Sequence, residues 1–157
     1  MKKILIALAV LIGLTSYAVY TYATVTESIT WIPGQTIKIV KVTWVGETSG
    51  VVPNTTISPL NGRVLRVETN PHVNGTIQPQ DNYDIQIVEH NNASIDILGG
   101  QGANRDTANT ETIIPYHANV TVYIYPRYSY GPIGFSLSGN ANLNATGDVD
   151  IYVEVPK

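Results

Sequence analysis

In the segment Asp148-Val149-Asp150-Ile151-Tyr152-Val153-Glu154-Val155 every second residue is apolar, and the residues between them are acids and one tyrosine. A period of two places alternate side chains on opposite faces of an extended strand, whereas a helix would need an apolar repeat of roughly 3.6 residues. The same period governs most of the chain beyond residue 24, so the domain is predicted to be all-β.

Residues 29–31 (ITW) read as a short strand closed by Pro33-Gly34, a turn pair. In residues 36–45 (TIKIVKVTWV), Ile37 and Ile39 share one face, and Val40, Val42 and Trp44 share a face with them only if the phase slips by one residue. The expectation is a β-bulge between Ile39 and Val40, which would turn both Lys38 and Lys41 to solvent. A short TTIS strand follows at residues 55–58. Asn61-Gly62 is a strong two-residue hairpin signal, and it precedes the strand RVLRVET. Asn70-Pro71 is expected to end that strand.

Residues 81–111 carry two alternating apolar segments around Asn91-Asn92, with Ile85, Ile87, Ile95 and Ile97 on one side. They read as a hairpin. The Gly-rich loop after it allows positive φ, and Asn104, Asp106 and Thr107 supply short side chains that bond nearby backbone, so an ordered Asx-type turn is expected. Arg105 would fix that loop by pairing with Asp106 or Asp84. Residues 119–130 (NVTVYIYPRYSY) predict a strand with Val120, Val122 and Ile124 inward. Its outer face is a tyrosine stripe of Tyr123, Tyr125, Tyr128 and Tyr130. Residues 133–139 and 148–155 supply two more strands. About eight strands at this spacing imply a single antiparallel β-sandwich of jelly-roll or Greek-key kind over residues 24–157.

The first 23 residues are different. Lys2 and Lys3 precede an uncharged segment whose apolar run goes from Ile4 to Leu14, with small-residue cleavage positions after Ala18 and Ala23. The same segment is long enough to span a bilayer as a hydrophobic helix, with Tyr17, Tyr20 and Tyr22 at one end as interfacial aromatics. Signal peptide and transmembrane anchor both fit. Either way the β-domain is exported or membrane-tethered.

Composition limits the chemistry. With 9 Lys+Arg against 12 Asp+Glu, and the basic residues scattered, no cluster neutralises phosphates, so nucleic acid is not an expected partner. There is no cysteine, which removes disulfides and thiolate sites. Leu98-Gly99-Gly100-Gln101-Gly102 lacks the Lys-Ser/Thr ending of a phosphate loop. His72, His90 and His117 lack metal-pair spacing. Asp81, Asp84, Asp96 and Asp106 offer the oxygen ligands of a structural calcium, but the regular calcium loop is missing and the bland reading is hydrogen-bonded acids. Asp148, Asp150 and Glu154 form an acidic stripe, read as a solvated face or a docking edge for a basic neighbour. No pattern for hydrolysis or nucleophilic catalysis emerges, so neither catalytic residues nor a cofactor are expected. The tyrosine stripe, with Asn104, Arg105 and Asp106 at the loop tip, forms the candidate interface, since Tyr and Arg are enriched at protein contacts.

GRVLRVETNP (residues 62–71), NYDIQIVEHNNASIDILGGQGANRDTANTE (82–111) and GDVDIYVEV (147–155) together resemble a group of small β-rich structural proteins of bacteriophages and prophages. The loop from Leu98 to Glu111 is the most specific part. The resemblance implies a non-enzymatic virion component, a minor capsid, spike or decoration protein, working through contacts with other virion proteins or as a homo-oligomer. The apolar residues 1–23 depart from that pattern and shift weight toward a virus with an internal membrane. Two other classes remain open: an exported cell-surface adhesin or pilus subunit, and a secreted carbohydrate-binding domain.

Overall fold

The computed structural model describes residues 22–47, 49–71, 77–89, 92–115, 127–139 and 142–156. Among these, ten strands follow one another: β1 (Thr24–Trp31), β2 (Ile37–Val45), β3 (Val52–Ile57), β4 (Gly62–Pro71), β5 (Asp84–Glu89), β6 (Asn92–Asp96), β7 (Glu111–Ile113), β8 (Arg127–Ser129), β9 (Ile133–Ser138) and β10 (Thr146–Glu154). No helix among the described residues is long and apolar enough to cross a membrane. The export or anchor helix expected over the first 23 residues falls almost entirely outside the described ones; Tyr22 is exposed and Ala23 packs against the core.

The strands form two antiparallel sheets. The larger runs β1-β2-β10-β4-β7, with β8 also paired to β4, and the smaller runs β3-β9-β5-β6. β10 thus lies between β2 and β4, which precede it by most of the chain. The inward side chains of both sheets meet in one cluster: Val40, Val42, Trp44, Val64, Val67, Val149, Ile151 and Val153 from the larger, and Val52, Ile57, Ile85, Ile87, Phe135 and Leu137 from the smaller. That meeting is what the alternating pattern requires, because each sheet has one apolar face to remove from water.

Four local expectations hold. Ile32, Pro33 and Gly34 turn β1 into β2, with Gln35 N donating to Ile32 O at 3.1 Å and Gly34 at φ +75°. β5 and β6 pair antiparallel as the expected hairpin, and β10 alternates from Val149 to Glu154, with Val149, Ile151 and Val153 fully buried. Gly99 and Gly100 adopt positive φ of 62° and 80°.

Others are corrected. No bulge interrupts β2: its register with both β1 and β10 is continuous, and Lys38, Val40, Val42 and Trp44 alternate inward without a slip. Lys38 is the inward residue nearest the rim, 8% exposed. Its stem lies along the core while its amine reaches the Pro59 carbonyl at 3.3 Å, so a lysine occupies a core-facing position by snorkelling. Burial holds that amine below its ordinary pKa. Ile37 and Ile39 sit on the outer face instead. The bulge in this sheet is at β4, where the pairing with β10 skips Leu65 between Val64 and Arg66. Asn61-Gly62 closes no hairpin either. Asn61 does take positive φ, 46°, but β3 and β4 belong to different sheets, so the turn carries the chain across the core. The expected strand over residues 119–130 is seen only in β8, the rest lying outside the described residues.

Tyr83 sits where the sheets meet. It is 1% exposed, its ring 6.0 Å from that of Trp44, and burial is the main cause that pushes its hydroxyl pKa from 10.0 to about 12. Between those two values the unfolded chain gives up this proton while the folded chain keeps it, so stability should fall as pH rises through the window. The loss due to Tyr83 is on the order of 2–3 kcal/mol. Denaturant titrations at pH 9 and pH 12 measure it, and Tyr83→Phe should flatten the fall.

Candidate functional site

The outer face of the larger sheet collects the polar and aromatic residues that β2, β10, β4 and β8 turn away from the core. Cross-strand partners share a face, so the pairings order it into rows. One row runs Ile37, Glu154, Arg63, Tyr128. Arg63 forms an ion pair with Glu154. Tyr128 is 50% and Tyr130 67% exposed, and their rings lie parallel, 6.2 Å apart with planes 8° from each other. A shallow groove of about 280 Å³ opens beside them, lined by Thr36, Tyr128, Glu154, Val155 and Pro156.

The next row is Ile39, Tyr152, Arg66. The Arg66 guanidinium lies 4.0 Å over the Tyr152 ring, whose hydroxyl donates to Glu68 Oε2 at 3.0 Å, while Arg66 pairs with Glu68 at 3.2 Å. The cation–π contact and the ion pair hold three long side chains in one arrangement. Beyond it, Asp150 lies between Lys41 and Glu68, and Asp148 between Thr43 and Asn70. Asp148 accepts from Thr43 Oγ1 at 2.6 Å and from Lys41 Nζ at 3.0 Å, and that bond to Asp148 is the main cause raising the Lys41 pKa. Burial raises the Asp150 carboxyl, and its Oδ1 is buried without a hydrogen-bond partner. The acidic stripe is therefore not a solvated face: Asp148 is 8% exposed, and its charge and that of Glu154 are met within the sheet.

The loop after the hairpin is ordered by its own hydrogen bonds. Asp96 accepts from Leu98 N at 3.0 Å and Gly100 N at 2.6 Å, and Asp106 caps the next turn through Ala108 N at 2.5 Å and Asn109 N at 3.1 Å. The Asn109 side-chain amide is the largest of the bonds that hold the Asp106 carboxyl below its usual range. The expected Asx turn is present. Asn104 takes φ +55° and its N–H donates to Asp84 Oδ1 at 2.8 Å, while Thr107 reaches the Pro79 carbonyl at 2.6 Å. Arg105, however, pairs with Glu111 at 3.5 Å and donates to the Ala103 carbonyl, since Asp84 and Asp106 are already engaged with backbone N–H groups. Its backbone bridges to β5's approach, with Arg105 N donating to Tyr83 O at 2.7 Å.

The structure brings Tyr128 and Tyr130 together and keeps Asn104, Arg105 and Asp106 in a separate cluster. Tyr123 and Tyr125 lie outside the described residues, as do His72, His90 and His117. Asp84 and Asp96 line one hollow of about 250 Å³, but each carboxylate accepts from backbone N–H groups of the loop, and no three acids or histidines among the described residues are grouped to hold a metal ion. Sequence reading missed two features. The Arg66–Tyr152–Glu68 triad depends on the β4 bulge, which no residue type announces. Ile29 and Trp31 are 47% and 54% exposed on β1, and the alternation Val25, Glu27, Ile29, Trp31 was a signal for their common face. Compared with family models, with curated proteins and with solved structures, the chain matches none of them.

Proposed function

We propose that this chain is a non-enzymatic structural component of a virus particle, a β-sandwich of jelly-roll or Greek-key kind that works through protein contacts. It sits on a capsid or on a viral membrane, tethered there by residues 1–23 where they are retained. The observation that carries the reading is the exposed, parallel Tyr128–Tyr130 pair beside Arg63 and Glu154. Aromatic rings and arginine dominate the buried centres of interfaces, because they offer large rigid area with a polar tip. The resemblance of residues 62–155 to phage structural proteins supplies the particle. Mass-spectrometric inventory of purified particles should contain the chain, and its absence would remove the reading. A Tyr128→Ser/Tyr130→Ser double variant should fold normally by circular dichroism and enter particles at least tenfold less well.

The same two rings favour a second reading, a secreted carbohydrate-binding domain, since flat aromatic faces also stack on sugar rings. Binding on a glycan array that disappears in the double variant would select it over the first.

A further inference from the structure

We propose that β1 is a pairing edge through which two copies of this chain join, antiparallel and about a two-fold axis at Ser28, so that one sheet runs through both copies. Sheet edges invite strand addition, and this chain blunts its other described edges. β3 contains Pro53 and a register break between Val52 and Thr55. β6 has five residues, with a break where β5 meets it. β7 and β8 have three residues each. β1 has none of these devices: eight residues, no proline, no lysine or arginine and an unbroken register with β2. Its one charge, Glu27, already accepts from Ser58 N at 2.8 Å.

The ladder determines which groups face outward. Ile32 N donates to Ile37 O at 3.0 Å, one step beyond the Trp31–Lys38 pair. Hydrogen-bonded and non-hydrogen-bonded pairs alternate in an antiparallel ladder, so Thr24, Thr26, Ser28 and Thr30 bond β2. Val25, Glu27, Ile29 and Trp31 then point their N–H and C=O away from the sheet, and among the described residues these groups have no backbone partner. A two-fold axis at Ser28 sets Val25 opposite Trp31 of the second copy and Glu27 opposite Ile29 of the second copy. That register uses every outward group on both strands. Shifting the axis to Glu27 would leave Trp31 unpaired and set two carboxylates face to face, and shifting it to Ile29 would leave Val25 unpaired. The side chains of Ile29 and Trp31 lie on the core side of the sheet, opposite Val40 and Lys38, yet remain about half exposed because the smaller sheet does not cover them. A second copy supplies the missing apolar neighbours.

The absence of cysteine in this chain makes the test clean. Ser28 would meet its own symmetry mate in a non-hydrogen-bonded pair with Cα atoms about 4.5 Å apart, within disulfide reach. Full-length Ser28→Cys in detergent should therefore form a disulfide-linked dimer under mild oxidation. Thr26 is exposed as Ser28 is, but the two copies of Thr26→Cys would stand four residues apart along the strands, about 13 Å, and should stay monomeric on a non-reducing gel. Adding Ile29→Pro to Ser28→Cys removes one outward N–H and no β1–β2 bond, so the dimer should fall at least tenfold. Equal cross-linking at positions 26 and 28, no cross-link at 28, or a cross-link undiminished by the added Ile29→Pro change would each overturn the proposal. It does not rest on the particle reading, which is tested on virions rather than on the purified chain.

Discussion

Gly102→Ala is expected to destabilise the domain by about 3 kcal/mol or more, through backbone rather than side-chain conflict. Gly102 is not a positive-φ residue; its glycine is required by proximity. A Cβ there would fall on the Ile85 carbonyl oxygen and lie 2.7 Å from Leu98 Cδ1. The same contact line holds the loop to the sheet, since Ile85 N donates to Gly102 O at 2.8 Å and Asn82 N to Arg105 O at 3.1 Å. Neither backbone can yield without breaking those bonds. Gly100→Ala is the control: at φ +80° and with nothing within 4 Å of its would-be Cβ, it should cost only left-handed strain, about 1–2 kcal/mol. Denaturant titration compares the two, and hydrogen exchange at Ile85 and Arg105 localises the damage. Equal costs would show that the loop does not depend on close approach at Gly102.

Trp44→Ala should lose about 3–5 kcal/mol, the range for emptying a large buried aromatic site. Trp44 is fully buried near the end of β2 and packs on Tyr83 from the other side of the core. Across the ladder its ring covers Gly147, where a Cβ would come within 2.7 to 3.0 Å of Cζ2, Cε2 and Nε1. Its Nε1 is buried without a partner, a cost the ring's packing outweighs. Trp44→Phe removes that cost and part of the volume, so it should be far milder than alanine. It should also make room for Gly147→Ala: the double variant should be more stable than the sum of the single changes predicts, by about 1 kcal/mol. Strict additivity would mean that the ring does not set the need for glycine at 147.

How much of this was legible follows from where each signal resides. Strands β2, β4, β5, β9 and β10 were readable because alternation is a property of neighbouring residues, and so was the Asx-capped turn at Asp106. The Ile39–Val40 bulge was wrongly expected because lysine was assigned to solvent. The Lys38 stem lies buried while its amine finds a carbonyl beside it, which a sequence pattern does not reveal. Asn61-Gly62 gave the right φ and the wrong partner strand, since turn chemistry specifies local geometry and not the sheet that receives the next strand. On the candidate surface, alternation placed Tyr128 and Tyr130 on an outer face but left open whether the chain itself covers it, and the pairing of Arg105 with Glu111 and the neutralisation of Asp148 by Lys41 were not legible. Both are cross-strand or loop-to-strand contacts, set by register.

The place of β10 between β2 and β4 has a kinetic side. β2 and β4 are separated in sequence only by β3, which joins the other sheet, but neither pairs with the other; each waits for residues 146–154. Until that strand arrives the larger sheet is two separate halves with an open slot, and closing a loop of this length before any contact repays it makes for a high barrier. Folding should therefore be slow and close to all-or-none, with the slot's unpaired edges the point at which a chain folding in a crowd of its own kind goes astray.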